Sequence, residues 1–303
     1  MASEVYEKIK AADRLPTPSG TVLTLVDLAN REDSTLNQMA TVVESDPGLA
    51  SRLVKLVNSP LAALSRQIAS VQQAIALLGL ATVKSVALGF SLVDNNRKGA
   101  CAAFDYETFW SESVARATTA RHVGNRLKNF PPDEAFTCGL LCQIGRLALA
   151  TAFPKDYAAI LAEVKANDRA LTDVETEAFN IDHNELAAEM MADWLMPAMF
   201  CDAVRNQDKP QSSAPESRPE QLAQILRLGG LVATLLVKTP MTYDFSTLTQ
   251  TANTLGIKPT VLPEVFDCIR EEWQGLGSIL DVKTQRSASL IELRTQAGNR
   301  HFR

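Results

Sequence analysis

The stretch Gly139 to Ala150, Gly-Leu-Leu-Cys-Gln-Ile-Gly-Arg-Leu-Ala-Leu-Ala, constrains the fold more than any other part of the chain. Phe136, Leu140, Ile144 and Leu147 recur at helical spacing, so it reads as one core helix with Cys142-Gln143 as its modestly polar centre. The same period governs the rest of the 303 residues. No sustained period-two alternation and no repeat of about 20–50 residues is evident, so the chain reads as all-α. Hydrophobic residues make up 46%, which suits a globular protein with a large buried core.

Helix punctuation divides the chain. Residues 3 to 12 read as a short helix, and Leu15-Pro16-Thr17-Pro18 forces an extended segment. A helix then runs from Gly20 to Asn30, and Ser34 is placed to cap the next, which ends before Asp46. Asp46-Pro47 pairs an N-cap with proline at the first helical position. That helix stops at Asn58-Ser59-Pro60, where Asn58 and Ser59 either pin the following segment or present a polar corner to a partner. Ser70 caps a stripe of Val71, Ala74, Ile75 and Leu78 closed by Gly79, and Thr82 restarts the pattern. An exposed turn at 94–99 precedes a long helix over 106–127, and Pro131-Pro132-Asp133 breaks the chain again. Further helices are expected at 155–166, 172–179 and 183–194, the last opened by Asp182 with Glu185 three residues on. Trp194-Leu195-Met196-Pro197 turns into one more. Residues 207–219, polar and with three prolines, read as a linker or mobile loop. Helices at 222–237, 246–255, 260–276 and 284–298 complete the chain.

Several function classes are disfavoured. Net charge is -5 without a dense Lys/Arg run, so capture of a nucleic-acid backbone is not encoded across the chain. No apolar run approaches the roughly 20 residues that span a bilayer, and the first residues lack a signal-peptide core, so a soluble cytoplasmic protein is expected. The five scattered cysteines read as reduced thiols. Cys138 and Cys142, four apart, fit small core residues, because the second Cys/His pair that structural zinc needs is missing. There is no Gly-x-Ser-x-Gly elbow, phosphate-binding Gly-rich loop or dinucleotide fingerprint.

Leu15-Pro16, Asp46-Pro47, Asn58-Ser59, the segment from Ile68 to Ala74, and Ala74-Ile75 followed by Leu78-Gly79 together resemble, in order and spacing, the N-terminal half of an HDOD domain. This family is a bacterial signalling relative of the HD metal-dependent phosphohydrolases. Gly139-Leu140-Leu141 and Ile144-Gly145-Arg146-Leu147 resemble the flanks of the metal-binding helix of those enzymes. The resemblance implies an extension over 1–14, an N-terminal helical lobe over 15–93, a degenerate HD-like core over 104–206 and, beyond the 207–219 linker, a C-terminal helical region over 220–303.

Such enzymes hold divalent metal with His and Asp from several helices. Following the resemblance, the first His position, after the aromatic Trp110, falls nearest Glu112, the His-Asp doublet becomes Cys142-Gln143, and a later His is kept as His183. The His-rich end becomes Asn206-Gln207, and the distal Asp falls at Gly229 or Gly230. Amides and glycines do not supply an anionic metal shell, so neither catalysis nor a cofactor is expected. Gly229-Gly230 reads as a close helix contact, His183 as structural at a helix start, His122 as packed on its helix, and His301 as near a frayed terminus. The signature residues Asp46, Pro47, Asn58, Ser59, Leu78, Gly79, Trp110, Gly139, Leu140, Gly145, Arg146, Trp194 and Pro197 are candidates for structural or partner-binding roles. The resemblance implies a platform for a protein partner or an attached receiver or diguanylate-cyclase-type domain, with residues 285–297 as a linker towards such a domain. Two alternatives stand beside it. One is a divergent phosphohydrolase with a metal site rebuilt from Glu112, Cys142 and His183; the other is a sensor of a small ligand such as a second-messenger nucleotide.

Overall fold

The computed structural model describes residues 4–12, 14–31, 33–58, 67–127, 130–209, 215–238 and 243–300. Every regular element among them is helical, as the apolar period predicts. Ser59, His301 and residues 210–214 of the expected linker lie outside the described residues. The chain divides into two compact units. The first comprises Met1–Tyr106, Gln143–Met196 and Ile279–Asp281; the second comprises Glu107–Cys142, Pro197–Ser278 and Val282–Arg303.

The first unit opens with α1 (Glu4–Ala11), α2 (Gly20–Ala29), α3 (Leu36–Glu44), α4 (Pro47–Val57), α5 (Val71–Leu78) and α6 (Leu80–Asn95), in which α3, α4 and α6 all pack on α5. Most of the expected caps are present. Asp46 accepts from the Gly48 and Leu49 amides above Pro47, and Ser70 accepts from the Gln73 amide. Two starts differ. Thr35, not Ser34, caps α3, because Gln38 three residues on completes a reciprocal capping box. Helix α6 begins at Leu80 rather than Thr82, because Gly79 at φ +80° turns the chain with no spacer, a conformation open to glycine.

The second unit takes up α7 (Tyr106–Gly124) and α8 (Pro132–Leu141). The chain then returns to the first unit with α9 (Ile144–Ala152), α10 (Pro154–Asn167), α11 (Leu171–Phe179) and α12 (His183–Asp193). There α9 packs on α10 and α12, and α11 on α10 and α12. The rest belongs chiefly to the second unit: α13 (Ala198–Asn206), α14 (Arg218–Ala233) continued by a π-helical turn over Thr234–Lys238, α15 (Phe245–Thr254), α16 (Leu262–Leu280) and α17 (Leu290–Arg300). Within it α14 packs against α8, α13 and α15. Helix α17 starts six residues later than expected. Ser289 and Glu292 fix that start by exchanging side-chain and amide hydrogen bonds of 2.8 and 3.2 Å.

The stretch Gly139 to Ala150 is two helices rather than one, with the break at Cys142-Gln143. The Cys142 carbonyl accepts from the Gln207 side chain at 3.1 Å, while the Arg146 amide bonds only three residues back, to Gln143. A side chain inserted into the ladder is a recognised cause of such a break. Two helical stretches, Pro132–Ala152 across this break and Arg218–Lys238, are nonetheless long and apolar enough to cross a bilayer by length and composition. That corrects the expectation that no run approaches this length, since the helices join short apolar blocks that polar residues separate in sequence. Of their most apolar windows, 89% and 61% respectively is buried inside the protein.

Candidate functional site

In the second unit, α7 is held close to two neighbours by glycines. A Cβ on Gly139 of α8 would lie 2.9 Å from Ala117 Cα and from the Arg116 carbonyl; one on Gly229 of α14 would lie 3.3 Å from Arg116 Cα. The Arg116 side chain continues across Gly230, where a Cβ would lie 2.9 Å from both terminal guanidinium nitrogens. The same guanidinium lies beside Cys142. Thus Cys142, Gly229 and Gly230, to which the resemblance assigned a ligand doublet and a distal carboxylate, surround an arginine. Sequence reasoning gave Arg116 no role, and the contacts that define its position come from residues far away in the chain.

The remaining donors of the second unit are engaged. Glu112 is buried and ion-paired with Lys238 at 2.7 Å. Burial pushes the Cys142 thiol up to about 11, against the pull of the Arg116 guanidinium, and Cys142 donates to the Gly139 carbonyl at 3.2 Å. Burial therefore favours its neutral form at physiological pH. Burial also holds Cys138 well above the usual thiol range. Asn206 donates to the Asp202 carbonyl of its own helix, and Gln207 closes the α8 break. His122 packs against a buried ion pair: Glu272 takes Arg121 at 2.8 Å and meets His122 Nε2 at 2.5 Å, and Asp133 lies 3.4 Å from Arg121.

In the first unit, His183 opens α12 against the buried carboxylate of Glu175. One Glu175 oxygen takes the His183 backbone amide at 2.9 Å and its Nδ1 at 2.5 Å; the other accepts from the Tyr157 hydroxyl at 2.8 Å. Because a carboxylate only accepts, Nδ1 carries the hydrogen. Burial first, then the Glu175 charge, hold the Tyr157 hydroxyl well above its usual range, while Arg146 pulls the other way. Sequence reasoning missed Glu175 and Tyr157; the available signal was an acid beside Val174 on the buried face of α11. Gly145 lets α9 approach this site, since a Cβ there would collide with the His183 carbonyl.

The donor chemistry does not fit the divalent metal that the HD superfamily implies. Glu112 is ion-paired with Lys238, Cys142 lies beside a guanidinium, and His183, whose Nδ1–H bond to Glu175 leaves only Nε2 to ligate, offers a single imidazole. Among the described residues no three His, Cys, Asp or Glu side chains are grouped to hold a metal ion. The other signature residues have local roles. Asn58 donates to the Val54 and Ile68 carbonyls at 3.0 and 2.7 Å and accepts from the Ile68 amide at 2.8 Å, pinning the chain ahead of α5. Leu78 and Gly79 form the α5–α6 joint, and Leu140 and Trp110 are buried. Trp194 ends α12 and Pro197 opens α13.

The HDOD domain profile matches residues 15–210, and the chain belongs to this family. A Shewanella amazonensis SB2B crystal structure provisionally described as a phosphohydrolase matches at 26% identity and TM-score 0.71, over 92% of this chain and 98% of that one. The MmoQ response regulator of Methylococcus capsulatus str. Bath matches at 36% identity and TM-score 0.51, over 84% of this chain and 98% of its own. An uncharacterized protein of Treponema pallidum (strain Nichols) is 21% identical over 226 residues, 72% of this chain; the match spans only 42% of that relative's length. The all-α fold and a signalling HDOD module follow from these matches together with the helices described above.

Proposed function

We propose that this chain is a non-catalytic bacterial signalling platform, acting in the cytoplasm, whose helical surfaces bias a protein partner or an attached receiver or diguanylate-cyclase-type domain. In this reading 15–93 is the N-terminal lobe and 104–206 the degenerate HD-like core of the signalling domain, 220–303 is a C-terminal helical region, and 285–297 leads towards an attached domain. One observation carries the proposal: Cys142 and Gly230, two of the positions that the resemblance sets at metal ligands, lie against the Arg116 guanidinium. A fixed cation opposes binding of a divalent cation at the same place. The likeness to a response regulator supports the signalling context, and five free cysteines, four of them buried, suit a reducing compartment.

The test is turnover of bis-p-nitrophenyl phosphate by the full chain, supplemented in turn with Mg²⁺, Mn²⁺ and Fe²⁺. The expected rate equals that of the Glu112→Ala and His183→Ala variants. Metal-dependent turnover that either variant abolishes would establish the divergent phosphohydrolase instead.

A further inference from the structure

Helix α7 carries two inward-facing arginines with different surroundings. Arg121 is met by two carboxylates, Glu272 and Asp133. Arg116 has no carboxylate within ion-pairing distance among the described residues. Glu112, one turn earlier and at the spacing where an i,i+4 pair with Arg116 would form, is engaged with Lys238. The guanidinium has five N–H donors. Its Nε is buried and without a hydrogen-bond partner, and Nη1 reaches the Leu226 carbonyl only at 3.5 Å, the outer limit of a hydrogen bond. It also lies beside the Cys142 thiol, which donates to the Gly139 carbonyl and which the Asp208 carboxylate acts on as well. A half-buried cation with unused donors is costly unless an acceptor of opposite charge reaches it.

The surroundings fix how such an acceptor is presented. Gly230 leaves no side chain between the guanidinium and the α14 backbone, so the planar group lies flat against that helix, where any Cβ would press on both terminal nitrogens. A flat, positioned guanidinium matches two coplanar oxygens of one anion, which a point charge such as lysine does not. We propose that Arg116 is the anchor of an oxyanion site in the second unit, taking a phosphoryl or carboxylate group through paired N–H donors. The site does not depend on the platform function proposed above; a catalytic or a non-catalytic chain could carry it.

The experiment is thermal unfolding of the full chain titrated with sodium phosphate or sodium acetate, each against sodium chloride at matched ionic strength. For the wild type, a saturable rise of about 2–4 °C at tenfold excess over Kd is expected with at least one oxyanion. Phosphate alone would identify a phosphoryl site, and acetate alone a carboxylate site. The rise should vanish in Arg116→Gln and fall at least tenfold in apparent affinity in Arg116→Lys, which keeps the charge and loses the fork. Because Arg116→Gln alters packing, its fold is checked by far-UV circular dichroism, and phosphorus NMR line broadening of phosphate, or proton NMR broadening of acetate, reads binding without reference to stability. If neither oxyanion exceeds chloride, or if Arg116→Gln retains the response, the site does not exist.

Discussion

Gly145 shows how closely single atoms set the packing of the first unit. Its missing Cβ is what allows α9 to rest on the His183 carbonyl and the Ala187 amide at the start of α12. The neighbour is backbone, fixed by the Glu175 hydrogen bonds to His183, so it cannot swing aside as a flexible side chain would. Gly145→Ala is therefore expected to destabilise the protein by about 1–3 kcal/mol, the usual cost of overpacking a filled site. The checking measurement is a lowered urea midpoint at unchanged slope. Gly229→Ala, whose Cβ would stand 3.3 Å rather than in collision range from Arg116, should cost less in the same assay.

At the scale of elements, charge at helix ends makes stability depend on pH. Asp244 caps α15; hydrogen bonds from the Ser246 hydroxyl and then Thr247 lower it from the ordinary 3.8 to about 2. A group whose folded value lies below its unfolded value binds fewer protons in the native state, so its contribution is complete above about pH 4. It is lost as pH falls towards 2. Asp244→Asn keeps a capping oxygen and removes the titration, so its stability should decline less than wild type between pH 4 and 2, measured by urea midpoints across that interval. Caps of this kind are also where sequence was most informative: Asp46, Ser70 and Asp182 were legible because each bonds to amides two or three residues away. Thr35 was mistaken for its neighbour Ser34 because the deciding contact is the return bond from Gln38. The α8–α9 break was illegible for a different reason. It is made by Gln207, 65 residues downstream, and the local apolar period runs across it without a fault.

For the whole molecule, the same distinction separates fold from site. The all-α class is a property of periodicity and could be read residue by residue, as could the residues that the resemblance sets at ligand positions, Cys142-Gln143, Asn206-Gln207 and Gly229-Gly230. What stands there instead was hidden, because Arg116 meets Cys142 and Gly230 only through folding, and Glu175 reaches His183 only by burial of a charged residue on an apolar face. A native protein that binds metal gains stability in proportion to the logarithm of metal concentration over Kd. With Glu112 paired to Lys238, Cys142 beside Arg116 and no group of three possible ligands among the described residues, this chain should melt at the same temperature, within about 1 °C, before and after EDTA treatment and with added Mn²⁺. A chelator-dependent drop of several degrees would show that metal is part of the native state.

The Arg116–Gly230 contact also bears on what installing metal ligands here would do. Gly230→Asp, which would place an acid at one of the two positions the resemblance offers for it, would set a carboxylate against a guanidinium already in place. The new acid would be captured as an ion pair before it could serve as a ligand, and Cys142→His would likewise introduce its imidazole next to a cation. Gly230→Asp should thus leave metal affinity unchanged, and Cys142→His, which enlarges a fully buried side chain, should also destabilise the fold. A metal site built here by substitution would have to remove Arg116 first, through an intermediate that has neither the internal cation nor the metal.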